Sequence, residues 1–544
     1  MFLTSSFAVQ AQENDSFEDD PFTAQQNSMR RQPRRNAVPW MPSSYADQAA
    51  MLEARANAKI KRNLNYLFES AGTTGNGSHA PFWHTSNRQG LSSPDNGMGY
   101  MRFAAMGEML LPSQFGVGYG MDLGLGTGMQ ENWFVHQLYI DLSYKWLDFE
   151  LGMREHHGEF KNPSLSTGSL IWSGNSQPIP EIRIGLSDYT RLPILGNWFS
   201  IKGHVGYGRF TDDNWRSGQS VNNSKYATGI LFHSKSAFVR FGDVKRFPLQ
   251  ATFGLEMNTM FGGTMYNGNV FMVQYDEYKF PSGPAAFWNA LFPFNKAEEQ
   301  GQDNGNVVGS WHLAFDCFLN EWKLSAYYEH FFEDHSSMLG VELKSDQQGQ
   351  KHMVSYGMKR NWLDGLFGLE INAPDNWKHM RSVVLEFMNT RGQCGAVCNN
   401  LGPHAERVDG CDDMYNHGKY SSYSHWGYAI GNPVLISPVY NQEPGNQRFV
   451  SNRVRMFHVG VEGGLTEKLD YRILATSTTH WGSYIKPLQE KEQISSLMME
   501  LSYWLGDSYS WKFSLSGAMD FDDGNMLGNN KGLMLTISKL WKML

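Results

Sequence analysis

Between residues 115 and 126 the chain alternates without a break: Phe115, Val117, Tyr119, Met121, Leu123 and Leu125 take one set of positions, and Gly116, Gly118, Gly120, Asp122, Gly124 and Gly126 the other. A period of two belongs to an extended strand, whose successive side chains leave on opposite faces. One face here is apolar and the other nearly bare. Across residues 100–111, Met101, Phe103, Ala105, Met109 and Leu111 likewise oppose Arg102, Ala104 and Glu108. Across residues 134–146, Phe134, Leu138, Ile140, Leu142, Tyr144 and Trp146 oppose Val135, Gln137, Tyr139, Asp141, Ser143 and Lys145. The rule returns at the far end of the chain, where Leu533, Leu535, Ile537 and Lys539 oppose Met534, Thr536, Ser538 and Leu540.

A soluble sandwich would alternate in the same way, so the connections decide. Tight reversals begin at Leu111, Lys145, Leu319, Thr466 and Gly506, each between two alternating segments. Between them lie long Gly-, Asn-, Asp- and Ser-rich stretches at 156–180, 211–225, 262–307 and 390–453. Short turns at one rim and long loops at the other are the layout of an outer-membrane barrel, whose short turns face the periplasm. The fold expected is all-β, a transmembrane antiparallel β-barrel of about eighteen strands over residues 73–544. Trp146, Trp322, Tyr471, Trp504 and Trp511 sit beside the turns, where an aromatic girdle belongs.

Composition agrees. The chain holds 17 Trp, 24 Tyr, 34 Phe and 55 Gly, with only 18% charged residues, as suits strands that face lipid or sugar. Its formal charge of −8 argues against binding nucleic acid by counterion release. No stretch approaches the roughly 18 uncharged apolar residues of a membrane-spanning helix.

The N-terminal residues read differently. Residues 1–11 resemble the end of an export signal, with Val9 and Ala11 where a signal peptidase would read them. Residues 12–42 are polar, acidic then basic, and are expected to be a disordered tether. Over residues 43–72, Tyr45, Ala49, Leu52, Ala56, Ile60, Leu64, Leu67 and Phe68 recur at three- and four-residue steps. That spacing predicts a short, periplasmic amphipathic helix, with Ser43 or Ser44 as N-cap and Gly72 as its stop.

Several strings carry a resemblance. They are PFWHTSNRQGLSS from Pro81, GSLIWSGNSQPIPEIRIGLSDYT from Gly168, GYGRFTDDNW from Gly206, AYYEHFFEDHSSM from Ala326 and MYNHGKYSSYSHWGYAIGNPVLISPVYN from Met414. Five such strings in order resemble the Wzi-type capsule assembly family in its Bacteroidetes form. The resemblance implies an outer-membrane barrel with a small helical part at its periplasmic end, which helps attach or organise capsular polysaccharide at the cell surface.

Catalytic chemistry finds little support. Glu329, His330, Glu333, Asp334 and His335 are the densest acid and histidine cluster. On a strand, Glu329, Glu333 and His335 point one way and His330 and Asp334 the other, so the group does not converge. His156 and His157 diverge for the same reason. Cys394, Cys398 and Cys411 share the longest loop. In an exported protein they are expected to form one disulfide of undetermined pairing rather than a metal site, and Cys317 is expected to lie alone on a lipid-facing strand. No cofactor and no metal are expected.

Sugar binding needs flat aromatic faces beside fixed polar groups. Three loops supply them. Residues 171–177 carry Trp172 and Asn175; residues 211–216 carry Asp213, Trp215 and Arg216; residues 415–432 carry Tyr423, His425, Trp426 and Tyr428. These nine are the candidate carbohydrate-binding residues, although the same aromatics could instead fold the loops into a lid. The expected role is non-enzymatic, with capsular polysaccharide and outer-membrane lipid as partners and the capsule export machinery as a further candidate. A porin or sugar-uptake channel is the alternative, and a hydrolase built on residues 329–335 ranks last.

Overall fold

The structure is a computed structural model. It describes residues 61–111, 114–192, 198–244, 246–270, 273–293, 305–333, 340–345, 351–356, 363–392, 413–506 and 510–543. The expected export signal, tether and first part of the helix fall outside these residues, as do Asp334, His335, Cys394, Cys398 and Cys411.

One antiparallel sheet of nineteen strands dominates the molecule; leaving out Thr190–Arg191, a two-residue arm on a neighbouring strand, eighteen strands make the wall. In chain order they are Lys61–Asn76, Gly99–Leu111, Phe115–Thr127, Trp133–Tyr144, Leu147–Met153, Pro180–Leu186, Phe199–Arg209, Leu231–Phe241 and Leu249–Phe261, then Asn306–Leu319, Trp322–Glu333, Gly365–Asn372, Ser382–Asn389, Val454–Gly464, Leu469–Gly482, Pro487–Leu505, Trp511–Asp522 and Asn530–Met543. Each pairs with its neighbours in sequence. Lys61–Asn76 pairs both with Gly99–Leu111 and with Asn530–Met543, which closes the sheet into a barrel and removes its edges. The reversals at 145–146, 320–321 and 465–468 share one rim with the start of the first wall strand and the end of the last, and the long connections leave from the other.

Closure corrects the helix expected over residues 43–72, because residues 61–72 belong to the first wall strand. Leu64, Leu67 and Phe68 fit a helical face, but Leu64, Tyr66 and Phe68 equally fit a strand face. The long-range pairing decides: Tyr66 lies opposite Trp541 and Ala105, and its ring stacks on Phe103 at 5.9 Å.

Burial is inverted relative to a soluble protein. Met101, Leu125, Ile140, Ile182, Phe315 and Leu533 are 51–61% exposed on the outer face, where a bilayer would cover them. Cys317 follows Leu313 and Phe315 on this outward set and is a free thiol. Ala104, Asp122, His312 and Met534 are buried on the inner face. Two outward assignments are corrected. At His136 the register shifts, so that Asp122 faces Gln137 while Leu123 faces Val135. This bulge turns Phe134 inward, where its ring covers Gly124. Trp504 also turns inward, donating its indole N–H to Asp470 at 2.8 Å.

Candidate functional site: a lid of loops in the barrel mouth

The loop between Leu147–Met153 and Pro180–Leu186 runs down inside the barrel and is fastened by carboxylates, one on each of four adjacent wall strands. Asn162 donates to Glu370 at 3.0 Å and Ser164 to Glu462 at 3.0 Å. Glu386 accepts from Ser166 Oγ at 2.6 Å, from Thr167 N–H at 2.8 Å, from Thr167 Oγ at 2.7 Å and from Tyr327 Oη at 2.6 Å. Glu329 accepts from Ser169 Oγ at 2.6 Å and Leu170 N–H at 2.8 Å, while its second oxygen pairs with Lys161 at 3.1 Å. A buried carboxylate is tolerated only when its lone pairs are used in this way. The sequence signal was present: each of these strands carries a Glu on its inward set.

One further chain of bonds ties three segments together. Trp83 Nε1 donates to Thr476 Oγ at 3.2 Å, Thr476 lies 2.8 Å from His458 Nδ1, and His458 Nε2 donates to the carbonyl of Leu165 at 2.7 Å. Here the loop backbone lies so close to the wall that a Cβ on Gly460 would stand 2.5 Å from the oxygen of Leu165. Trp83 belongs to the four-residue helix Phe82–Thr85, in a loop that the sequence reading matched to a family string but did not assign to the site.

Above this layer, residues 413–453 form the lid. Tyr415 Oη donates to the carbonyl of Leu170, Tyr423 Oη to that of Ile171 at 2.8 Å and Tyr428 Oη to that of Ser92 at 3.1 Å. Ser424–His425 and Tyr428–Ala429 form a small hairpin whose turn residues, Trp426 and Gly427, both have positive φ, 54° and 79°. This is the two-residue turn that favours Asn or Gly at its first position, so a Trp there is strained. Asp212 holds it, accepting from Trp426 N–H at 3.0 Å while its other oxygen accepts from Arg216 Nε at 2.9 Å.

The nine candidate residues converge on this lid. Asn175 donates to the carbonyl of Ala429 at 3.1 Å, and Arg216 to that of Ser424 at 2.6 Å. Trp172 packs edge-on against Phe232 at 5.4 Å, and the Trp215 ring leaves no room for a side chain at Gly427. His425 Nδ1 lies 3.0 Å from the carbonyl of Gln177, and its Nε2 lies 3.2 Å from Thr211 N–H. Since the amide can only donate, Nε2 accepts and Nδ1 carries the proton. Burial pushes this imidazole below its ordinary range, and likewise His84 and His417, each to about 3. Eight of the nine are 0–8% exposed; Asp213 alone is partly open, with Arg209 at 3.3 Å. Their side chains mostly hold the lid together.

Of the expected acid and histidine cluster, the three described members, Glu329, His330 and Glu333, separate as their spacing implies. Glu329 and Glu333 face the lumen, where Glu333 accepts from Tyr415 N–H at 3.3 Å, whereas His330 Nδ1 meets the carbonyl of Asp364 at 2.8 Å. His156 turns to Glu150 at 3.1 Å and His157 to Gln89 at 3.4 Å.

No protein-family model matches the chain, and no curated protein matches its sequence. Solved structures do match. Wzi of Escherichia coli, an outer-membrane protein involved in Group 1 capsule assembly and a carbohydrate-binding β-barrel, is 12% identical; the match covers 87% of this chain and 83% of that one, with a TM-score of 0.50. OccK2 (OpdF) of Pseudomonas aeruginosa is 10% identical over 89% of this chain and 98% of that one, with a TM-score of 0.46. OccK5 (OpdH) of the same organism is 7% identical over 89% and 99%, with a TM-score of 0.44. At such identities the likeness is one of fold, that of an outer-membrane barrel.

Proposed function

We propose that the chain is a non-enzymatic outer-membrane protein that binds and organises capsular polysaccharide at the cell surface, with its long loops outward. The observation that carries this reading is the fastened lid. Buried ion pairs and hydrogen bonds hold loops inside the lumen, so the work of the protein falls to its outer loop face rather than to a water path. The fold shared with a carbohydrate-binding barrel of capsule assembly supports the same role. The glutamates nearest to a catalytic arrangement are occupied as structural anchors.

Deletion of the gene tests this. Capsule should be lost from the cell surface and appear in the medium, and return on complementation; a normal capsule with impaired sugar uptake would favour a channel instead. Orientation has its own test. An epitope placed in residues 395–410 should be reachable on intact cells, and one after Thr466 should not. Labelling only at the second would invert the barrel.

A further inference from the structure

On the outer face of the wall, near the long-loop rim, a row of rings crosses four adjacent strands. Tyr328, Phe367, Phe387 and Phe457 stand opposite one another in register, with successive ring centroids 4.5, 6.2 and 5.0 Å apart. In the next outward row toward the short turns, Ala326 sits between Phe315 and Leu369. Beside this small, exposed side chain the face dips into an open groove of about 540 Å³, lined mainly by apolar groups. Above the row, two residues from Phe457 on the same face, Arg455 is exposed; it pairs across the strands with Asn389, and half-buried Arg391 follows two residues on. Both guanidiniums approach the ring of Trp481, at 4.2 Å for Arg391 and 5.9 Å for Arg455. A third arginine joins them, since Arg453 Nε donates to the carbonyl of Arg391 at 3.4 Å. Neither Arg391 nor Arg455 has an ion-pair partner among the described residues. The carboxylate of Asp364, at the same rim, accepts instead from Asn389 Nδ2 at 2.6 Å and Gly392 N–H at 3.2 Å. Cations gathered at one ring repel each other unless an anion neutralises them.

We propose that this rim binds one phosphate-bearing membrane lipid, its phosphate on Arg391 and Arg455 and an acyl chain in the groove beside Ala326. Guanidinium groups meet phosphate through paired, charge-assisted hydrogen bonds, and aromatic rings and basic residues are the groups that meet lipid at a membrane surface. Spacing agrees. Arg455 and Val459, which lines the groove, stand on one strand face about 13 Å apart, within the reach of a single lipid. The cluster lies on the lipid side of the wall rather than over the lid, which favours a lipid over an acidic polysaccharide. Such a lipid anchors the wall whatever the loops bind above it.

The test uses the full-length protein in detergent and three probes, lipid A with its phosphates, enzymatically dephosphorylated lipid A and inorganic phosphate, with native mass spectrometry as the readout. Phosphorylated lipid A should bind the unaltered protein, and the dephosphorylated form should bind about tenfold more weakly. Arg391→Gln with Arg455→Gln should weaken binding about tenfold, and Arg391→Lys with Arg455→Lys should weaken it less because the charges remain. Ala326→Trp fills the groove, leaves the arginines in place and should also weaken lipid binding. Resistance to unheated SDS checks that each barrel is intact. If phosphorylated lipid A does not bind, if both lipids bind equally, or if the glutamine pair is without effect in an intact barrel, the phosphate site is wrong. If Ala326→Trp binds lipid as the unaltered protein does, or inorganic phosphate binds as tightly as lipid A, the arginines hold a free anion and the lipid assignment is overturned.

Discussion

Tyr423 reaches from the lid to the inward loop, donating its phenolic proton to the carbonyl of Ile171 at 2.8 Å while accepting one from Asn258 Nδ2 at 2.6 Å. Loop, lid and wall meet at this one oxygen. Tyr423→Phe should leave both the carbonyl and the amide unpaired and loosen the lid by about 1–3 kcal/mol. Faster amide exchange across residues 413–453, with unchanged resistance of the barrel to unheated SDS, is the expected result.

Glu386 makes the same argument for the inward loop, because it gathers four donors from Ser166, Thr167 and Tyr327. Glu386→Gln replaces one accepting oxygen by an N–H group that faces donors. In planar bilayers the unaltered protein should stay closed and the variant should show frequent openings. Equal conductance in the two would show that the loop is held by other contacts.

How much of this was legible in the sequence depends on whether a feature lies along the wall or inside it. Alternation across residues 115–126 and the reversals at Lys145 and Thr466 are local, and the barrel follows from them. The inward turn of Phe134 needs one extra residue at His136, and composition does not register a bulge. Leu64 and Phe68 satisfied two periods at once, so only pairing with residues hundreds of positions away could choose between helix and strand. Periodicity also says which face of a strand a residue takes, but not how far a loop folds back. For Trp172, Tyr423 and Trp426 periodicity therefore left sugar contact and lid packing both open, and the structure encloses them.

Close approach gives a steric prediction. Gly460→Val places methyl groups where the Leu165 backbone lies, so the loop must move off the wall and surrender the bond from His458 to Leu165. Cysteine labelling at position 165 in this background should rise well above that in the parent. Unchanged labelling would place the loop farther from the wall than the structure does.

Acid should act on the lid before the wall. His425 is held neutral, and His84 and His417 stay neutral down to about 3, because burial disfavours their charged forms. The unfolded or released segments bind protons from about 6.5 downward, so the stability these residues contribute is complete above that pH and is lost as pH falls toward 3. Measured relative to the intrinsic exchange rate at each pH, protection across residues 413–453 should fall between pH 7 and 4, and His425→Asn should flatten part of that dependence.

The central claim is that the outer loop face binds capsule, and the direct measurement is equilibrium binding of the purified, detergent-solubilised protein to capsular polysaccharide from its own strain. Saturable binding that survives high salt, as expected of hydroxyl recognition, together with a closed lumen, is the predicted result. No binding, in a protein that conducts steadily in bilayers, would contradict the account.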